Sequence, residues 1–394
     1  MPLGLYISVP FCKTKCSFCN FASDVFSRAV FQRYVDRLSS EIEHASETAA
    51  QMDGRFERSV DSLYLGGGTP TVLEISQLER IFVTISQNFE VAKQAEITVE
   101  CAPGTLNDAV VEALQRVGVN RVSLGVQSFV DKEAASVGRL HTREITEADI
   151  SRLRQAGISD INVDLIAGLP HQTIESWQTS VRALIESGVP HASVYMLEID
   201  EDSRLGSELI AGGAKYHAHF VPNEDLTADF YESACEQLNT AGVAQYEISN
   251  FARAGHESRH NLKYWTRQPY MGFGVDAHSM LLSISKENDA VRFSNPESLQ
   301  KYVAGEGPNR TAVDSHSALE EEFFLGLRLN QGVDLIRLAE SYGGATAFVS
   351  NEITKLIAEG LVKQEANGVA LSERGRLLSN EVFQRFISTP EEVI

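Results

Sequence analysis

Through the first two thirds of the chain, short apolar runs rich in β-branched residues alternate with longer amphipathic stretches. That alternation reads as strand followed by helix. It predicts a first strand near Gly4–Val9 and a helix near Ala29–Ala50. Further strands are expected at Ser59–Leu65, Glu96–Glu100, Arg121–Gly125, Asp160–Ile166 and His191–Leu197, each followed by a helical pattern such as Thr173–Ser187. Six βα units in succession imply an α/β fold whose parallel sheet curls into an incomplete barrel.

From about Ala312 the rhythm changes. An acidic, helix-prone start at Glu320-Glu321-Glu322 leads through two more helical patterns to Gly360-Leu361-Val362. Ala366-Asn367-Gly368-Val369 reads as a tight hairpin turn, and a last helix is expected near Arg374–Phe386. Helices plus a hairpin predict a small, mostly helical, winged-helix-like domain over 311–394, after a barrel with its extension over 1–310. This tail has no basic stripe, so a structural or partner-docking role fits it better than DNA binding. Neither an internal repeat nor a low-complexity tract is present.

At 394 residues and 43% hydrophobic content, the chain can bury one large core and a smaller one. Its net charge of -20 argues against broadly anionic partners, nucleic acid or an acidic membrane surface. No stretch approaches the roughly 20 consecutive apolar residues of a membrane span. The first ten residues are too short and uncharged for a signal peptide, so a cytoplasmic protein is expected.

Three of the five cysteines fall within eight residues, as Cys12-Lys-Thr-Lys-Cys16-Ser-Phe-Cys19. Three thiolates on one short loop suit three irons of a [4Fe–4S] cubane, leaving the fourth iron open to an exchangeable ligand. Structural zinc usually takes four protein ligands, and no second pair lies nearby. Cys101 and Cys235 read as small core residues. The run Gly66-Gly67-Gly68-Thr69-Pro70 follows Leu63-Tyr64-Leu65, placing glycines where backbone can approach a ligand closely, although a glycine triplet alone also suits a permissive βα turn. Glu100, Gln127 and Asp164 fall at or near the ends of later strands, so the polar residues converge on one rim.

A C-x3-C-x2-C loop after the first strand and GGGTP after the second resemble the radical S-adenosylmethionine superfamily. More narrowly, Tyr6, Phe18, Phe21 and the run Gly125-Val126-Gln127-Ser128-Phe129 resemble the oxygen-independent coproporphyrinogen III oxidase family, over nearly the whole chain. The resemblance implies a partial barrel, a reducible cluster on Cys12, Cys16 and Cys19, and S-adenosylmethionine on the open iron. It places Gly66, Gly67, Gly68 and Thr69 at the methionine end and Glu100 and Gln127 at the amino group or ribose hydroxyls. Arg139 and Asp164 fall at nearby polar groups, with Tyr6, Phe18 and Phe21 beside the ligand. An ammonium, a carboxylate and a diol do call for carboxylate, backbone N–H and amide partners. Ordinary strand-end solvation of Glu100 and Asp164, and a surface ion pair for Arg139, are the competing readings.

The oxidases carry a further cysteine two places after the third, where this chain has Phe21. That departure, with His260-Asn261-Leu262-Lys263-Tyr264-Trp265, resembles the HemW branch, whose members act as heme chaperones. The motif offers an imidazole for heme iron and two aromatic faces for the porphyrin. Equally, His260 suits a satisfied loop histidine and Tyr264 and Trp265 core packing, with His256 and His278 as neighbouring alternatives. The resemblance implies a carrier that binds heme and hands it to heme-accepting proteins. The alternative is a radical enzyme that oxidatively decarboxylates a porphyrinogen and needs an electron donor; a radical methyltransferase ranks last. Oligomeric state, a homodimer included, stays open.

Overall fold

The computed structural model describes residues 1–285, 287–343 and 347–387; the end of the expected C-terminal domain, 388–394, lies outside them. Six strands, β1 (Leu3–Val9), β2 (Ser59–Gly67), β3 (Glu90–Cys101), β4 (Arg121–Gln127), β5 (Asp160–Ala167) and β6 (His191–Met196), lie side by side in chain order, all parallel. Parallel neighbours need long crossovers. These carry α1 (Phe31–Glu43), α2 (Ile75–Asn88), α3 (Asp108–Arg116), α4 (Arg143–Gln155) and α5 (Ile174–Ser187). The fold is a partial (β/α)6 barrel.

Side-chain alternation explains why this sheet carries a polar interior. Leu3, Leu5, Ile7 and Val9 of β1, Leu63 and Leu65 of β2, and Val122 and Leu124 of β4 are buried in the main apolar core with the helices. The intervening positions face the other way. Register sets Tyr6 beside Tyr64, Ser123 between Glu100 and Asn162, and Asp164 between Gly125 and Ser193. Here β3 begins six residues before the expected Glu96, because Glu90 and Val91 pair with Ser59 and Val60 ahead of a register shift. The helix expected over Ala29–Ala50 is interrupted at His44, whose Nδ1 lies 2.7 Å from the Ser40 carbonyl.

Beyond β6, α6 (Glu224–Thr240) packs back on the sheet and β7 (Asn250–Ala252) adds antiparallel to β6. A short α7 (Arg259–Trp265) then leads to β8 (Tyr270–Phe273), which pairs parallel with β1 on the opposite edge. An antiparallel meander, β9 (His278–Ser283), β10 (Ala290–Ser294) and β11 (Asn309–Val313), continues that edge. The hydrophobic pattern had not suggested these strands, which are brief and separated by turns. Buried Glu41 of α1 ties the meander down, accepting from Asn295 Nδ2 at 2.6 Å, Gly274 N at 3.0 Å and the Tyr302 hydroxyl.

The C-terminal part comprises α8 (Ser315–Gly326), β12 (Val333–Asp334), α9 (Leu335–Tyr342), α10 (Ala347–Ala358), β13 (Val362–Gln364), β14 (Gly368–Leu371), α11 (Glu373–Leu377) and α12 (Ser379–Gln384). The three strands form an antiparallel sheet with β14 central, a wing beside helices, and the hairpin turns between Glu365 and Gly368. The closing helix is two short helices meeting at Leu378. A separate core of Leu319, Phe323, Leu338, Leu356, Val369 and Phe386 also takes in Ile248 from the barrel side. That contact, with the Ile248 N–H donating to Arg328 O at 3.2 Å, docks the small part on the barrel edge near β7. No helix among the described residues is long and apolar enough to cross a membrane.

Candidate functional site

Leaving β1, the chain runs through Pro10 and Phe11 into the cysteine loop and returns beside itself at Asp24. The Cys12 N–H donates to Asp24 O and the Asp24 N–H to Pro10 O, both at 3.0 Å. Further in, Ser17 N donates to Val137 O at 3.1 Å and Thr14 Oγ1 to Gly138 O at 3.0 Å. The loop is therefore held at both ends and along its back. Cys12, Cys16 and Cys19 all open on one cavity of about 660 Å³. Burial pushes the Cys12 and Cys16 thiols up, and the Arg139 charge partly offsets this at Cys16. No three His, Cys, Asp or Glu side chains among the described residues could share one metal ion. Thiolates that each take a separate iron of a cubane have no need to meet at one point.

Across the cavity, the Gly68 N–H donates to Val9 O and the Thr69 N–H to Phe11 O, both at 2.8 Å, clamping the glycine run to the start of the cysteine loop. Gly67 has φ +93°, a left-handed conformation that favours glycine. A Cβ on Gly66 would stand 2.8 Å from the Glu100 carboxyl carbon. Glu100 accepts from Tyr64 Oη at 2.8 Å and from Gly67 N at 3.2 Å. Burial and, less strongly, nearby Asp164 raise its carboxyl to about 7, against the bonds from Tyr64 and Gly67 and the charge of Arg139. Asp164 accepts from Asn162 Nδ2 at 2.7 Å and Ser123 Oγ at 3.3 Å, and burial raises it as well.

Gln127, at φ +68° where β4 ends, and Arg139 line the same cavity with Phe18 and Phe21. Cys101 borders it too, but is buried with its thiol 3.8 Å from the Val99 carbonyl. The donor set fits the ligands implied by the cysteine motif. Three thiols converge on one wall, a glycine cradle leaves room that a Cβ would fill, the buried carboxyls of Glu100 and Asp164 face the space, and buried Arg139 Nε has no partner among the described residues. Tyr64, Ser123 and Asn162 were not singled out from the sequence. Their signal was alternation, a polar side chain flanked by apolar ones in a strand.

A second cavity of about 520 Å³ lies alongside, sharing Phe21, Ser23 and Gly67 with the first. Tyr6, Tyr264, Trp265, Tyr270 and Met280 give it an aromatic and apolar wall, with Asp276, His278 and Arg292 as charged or ionisable groups. Phe21 is 63% exposed between the two spaces. The motif residues divide. Tyr264 and Trp265 face this cavity, and the Arg328 guanidinium stacks 4.2 Å from the Trp265 ring centre. His260 does not reach it. Its ring is 1% exposed, with Nδ1 3.0 Å from Ser62 Oγ and Nε2 2.8 Å from Tyr264 Oη. Burial, aided by Lys263, pushes its imidazole down to about 3, so it is neutral and internally satisfied. His256 lies away from the cavity, 3.5 Å from Asp160.

The chain is similar to known proteins in sequence and in fold. The radical SAM superfamily matches residues 6–184 and the HemN C-terminal domain residues 313–378. The heme chaperone HemW of Bacillus subtilis is 33% identical over 390 residues, 97% of this chain and 98% of that protein. That of Lactococcus lactis is 31% identical over 392 residues, 98% of this chain and 97% of that protein. The solved structure of coproporphyrinogen III oxidase (HemN) from Escherichia coli, described as a radical SAM enzyme, superposes with a TM-score of 0.82 at 26% identity. That match covers 98% of this chain and 90% of that one. The superfamily implies a [4Fe–4S] cluster and S-adenosylmethionine. The chain, carrying its three-cysteine loop, glycine cradle and HNxxYW helix on this fold, belongs to the HemW family within the radical SAM superfamily.

Proposed function

We propose that this protein binds heme and passes it to heme-accepting proteins, holding the porphyrin in the cavity walled by Tyr264, Trp265 and Tyr270. The observation that carries this reading is the adjacency of that aromatic cavity to the cysteine-lined one, with Gly67, Phe21 and Ser23 common to both. Aromatic faces suit a flat apolar macrocycle, and a cavity of this size is in the range of small-molecule sites, about 300–1,000 Å³. The test is an anaerobic titration of the cluster-loaded protein with heme, followed by reductant and S-adenosylmethionine with assay for 5′-deoxyadenosine. Stoichiometric heme binding with little cleavage is expected. Rapid cleavage stimulated by a porphyrinogen, without heme binding, would establish the oxidase reading instead, which the HemN likeness keeps in view.

In this reading Cys12, Cys16 and Cys19 hold the cluster. When bound, the cluster and S-adenosylmethionine supply one-electron chemistry. The chain's own part is positioning: Gly66, Gly67, Gly68 and Thr69 bring backbone to the methionine end, and Glu100 and Gln127 meet the ammonium or the ribose hydroxyls. Asp164 and Arg139 balance charge around them, Phe18 and Phe21 close the sides, and Tyr6, expected beside this ligand, lines the neighbouring aromatic cavity instead. The C-terminal part, taken as a domain from 311, covers the open barrel edge and offers a surface for an acceptor; a cytoplasmic setting fits the sequence.

Glu100 gives this assignment a pH signature. A carboxyl raised to about 7 is protonated below that pH and must ionise to hold an ammonium. The dissociation constant for S-adenosylmethionine is therefore expected to rise about tenfold from pH 8 to pH 6, because only the ionised fraction is competent. Equilibrium dialysis of the cluster-loaded protein across this range measures it. Glu100→Gln should bind weakly with a flat profile, and a wild-type affinity independent of pH would remove Glu100 from the site.

A further inference from the structure

We propose that His278, and not the motif histidine His260, supplies the protein ligand to heme iron in the aromatic cavity; this rests on the heme-binding reading above. A ligand to iron needs a ring nitrogen with a free lone pair facing the porphyrin. His260 offers none. It is buried, and its two nitrogens are occupied by Ser62 and Tyr264. Its backbone N–H is likewise taken, donating to Glu96 Oε1 at 3.0 Å. The His260 ring instead supports the Tyr264 hydroxyl from behind while Tyr264 packs edge-on against Tyr270, ring centres 4.5 Å apart. His260 is a positioning residue for the aromatic wall.

His278 has the opposite environment. It opens β9, borders the cavity and has a side chain 67% exposed, so its ring can turn toward a ligand without breaking a buried contact. Asp276 Oδ1 stands 3.7 Å from its Nε2, where a carboxylate can orient the ring while Nδ1 stays available. Two residues along the same strand, Met280 faces the same cavity. Opposite, Arg292 reaches the cavity from β10 with Nη1 donating to Tyr270 Oη at 3.0 Å. Glu321 pairs with its Nε at 2.6 Å. The cavity thus presents an available imidazole, aromatic faces for the ring system and a guanidinium for a propionate.

The experiment titrates the cluster-loaded, full-length protein with heme and, separately, with iron-free protoporphyrin IX. Wild type, His278→Ala and His260→Ala are compared, with absorption and electron paramagnetic resonance reporting imidazole ligation. His278→Ala should weaken heme binding by more than the roughly tenfold that losing a ligand's own hydrogen-bond partner costs, and lose the imidazole signature. It should bind iron-free protoporphyrin IX as wild type does, and free imidazole should restore the heme spectrum. His260→Ala should keep the imidazole signature. The inference is overturned if His278→Ala retains the wild-type heme spectrum and affinity, or loses the iron-free porphyrin equally, which would mark a role in shape alone. If wild type itself takes up no heme, the proposed function falls and the inference with it; normal wild-type binding with an unaffected His278→Ala removes only the inference.

Discussion

Cys16→Ala is expected to leave the reconstituted protein without a stable cluster, its iron falling from about four per chain to background and its visible charge-transfer absorption lost. The three cysteines share a loop fastened at Cys12–Asp24 and along Ser17–Val137, so neighbouring side chains cannot slide into the missing place. Two thiolates then remain for three irons. Cys101 borders the same cavity, yet its thiol is buried against the Val99 carbonyl at the end of β3, where rigid strand geometry keeps it from substituting. Cys235→Ala, on α6, serves as the control and should keep full iron content. Iron analysis and absorption after anaerobic reconstitution decide the matter; four irons retained in Cys16→Ala would remove that residue from the cluster.

The second large effect is expected at Gly68. A Cβ built there lies 2.7 Å from the carbonyl oxygens of both Val9 and Phe11, and 3.0 Å from Phe11 N. All three are backbone atoms, so no side chain can swing aside. Two of them also accept the hydrogen bonds, from Gly68 and Thr69, that clamp the glycine run to the cysteine loop. Gly68→Ala must lift one segment from the other, at a cost of about 1–3 kcal/mol in strain. Because the clamp shapes the cavity between cluster and glycine cradle, S-adenosylmethionine affinity should fall about tenfold or more, the equivalent of about 1.4 kcal/mol. Gly307→Ala, with open space around its Cβ, should behave as wild type. Equilibrium dialysis and thermal unfolding report the two consequences; unchanged affinity in Gly68→Ala would show that the clamp does not shape the site.

Much of the barrel was legible because local pattern and tertiary requirement coincide. A strand buried on one face by helices must be apolar at every second position, and β1, β4, β5 and β6 were found within a residue or two of their expected bounds. The start of β3 was missed because Glu90-Val-Ala-Lys93 shows no strand alternation, and its extended form is set by the pairing of Glu90 and Val91 with β2. The break at His44 was missed for a related reason, since amphipathic periodicity runs on through it. The meander from β8 to β11 left little trace in the hydrophobic pattern. Its short strands are stabilised by the edge of β1 and by Glu41, whose partners Asn295 and Tyr302 lie some 250 residues away in the chain.

By itself the sequence determined the cluster motif, the βα rhythm and the convergence of polar residues at strand ends, since ligand spacing and alternation are local properties. It also contained the HNxxYW string, but could not say which of its rings would face a cavity. Tertiary structure decided that. Ser62 and Tyr264 capture both nitrogens of His260, while Tyr264 and Trp265 are turned toward a space that also meets β9. The physical reason is that burial and hydrogen bonding of a side chain depend on neighbours brought from distant segments, and a histidine's chemistry depends on which of its nitrogens those neighbours leave free.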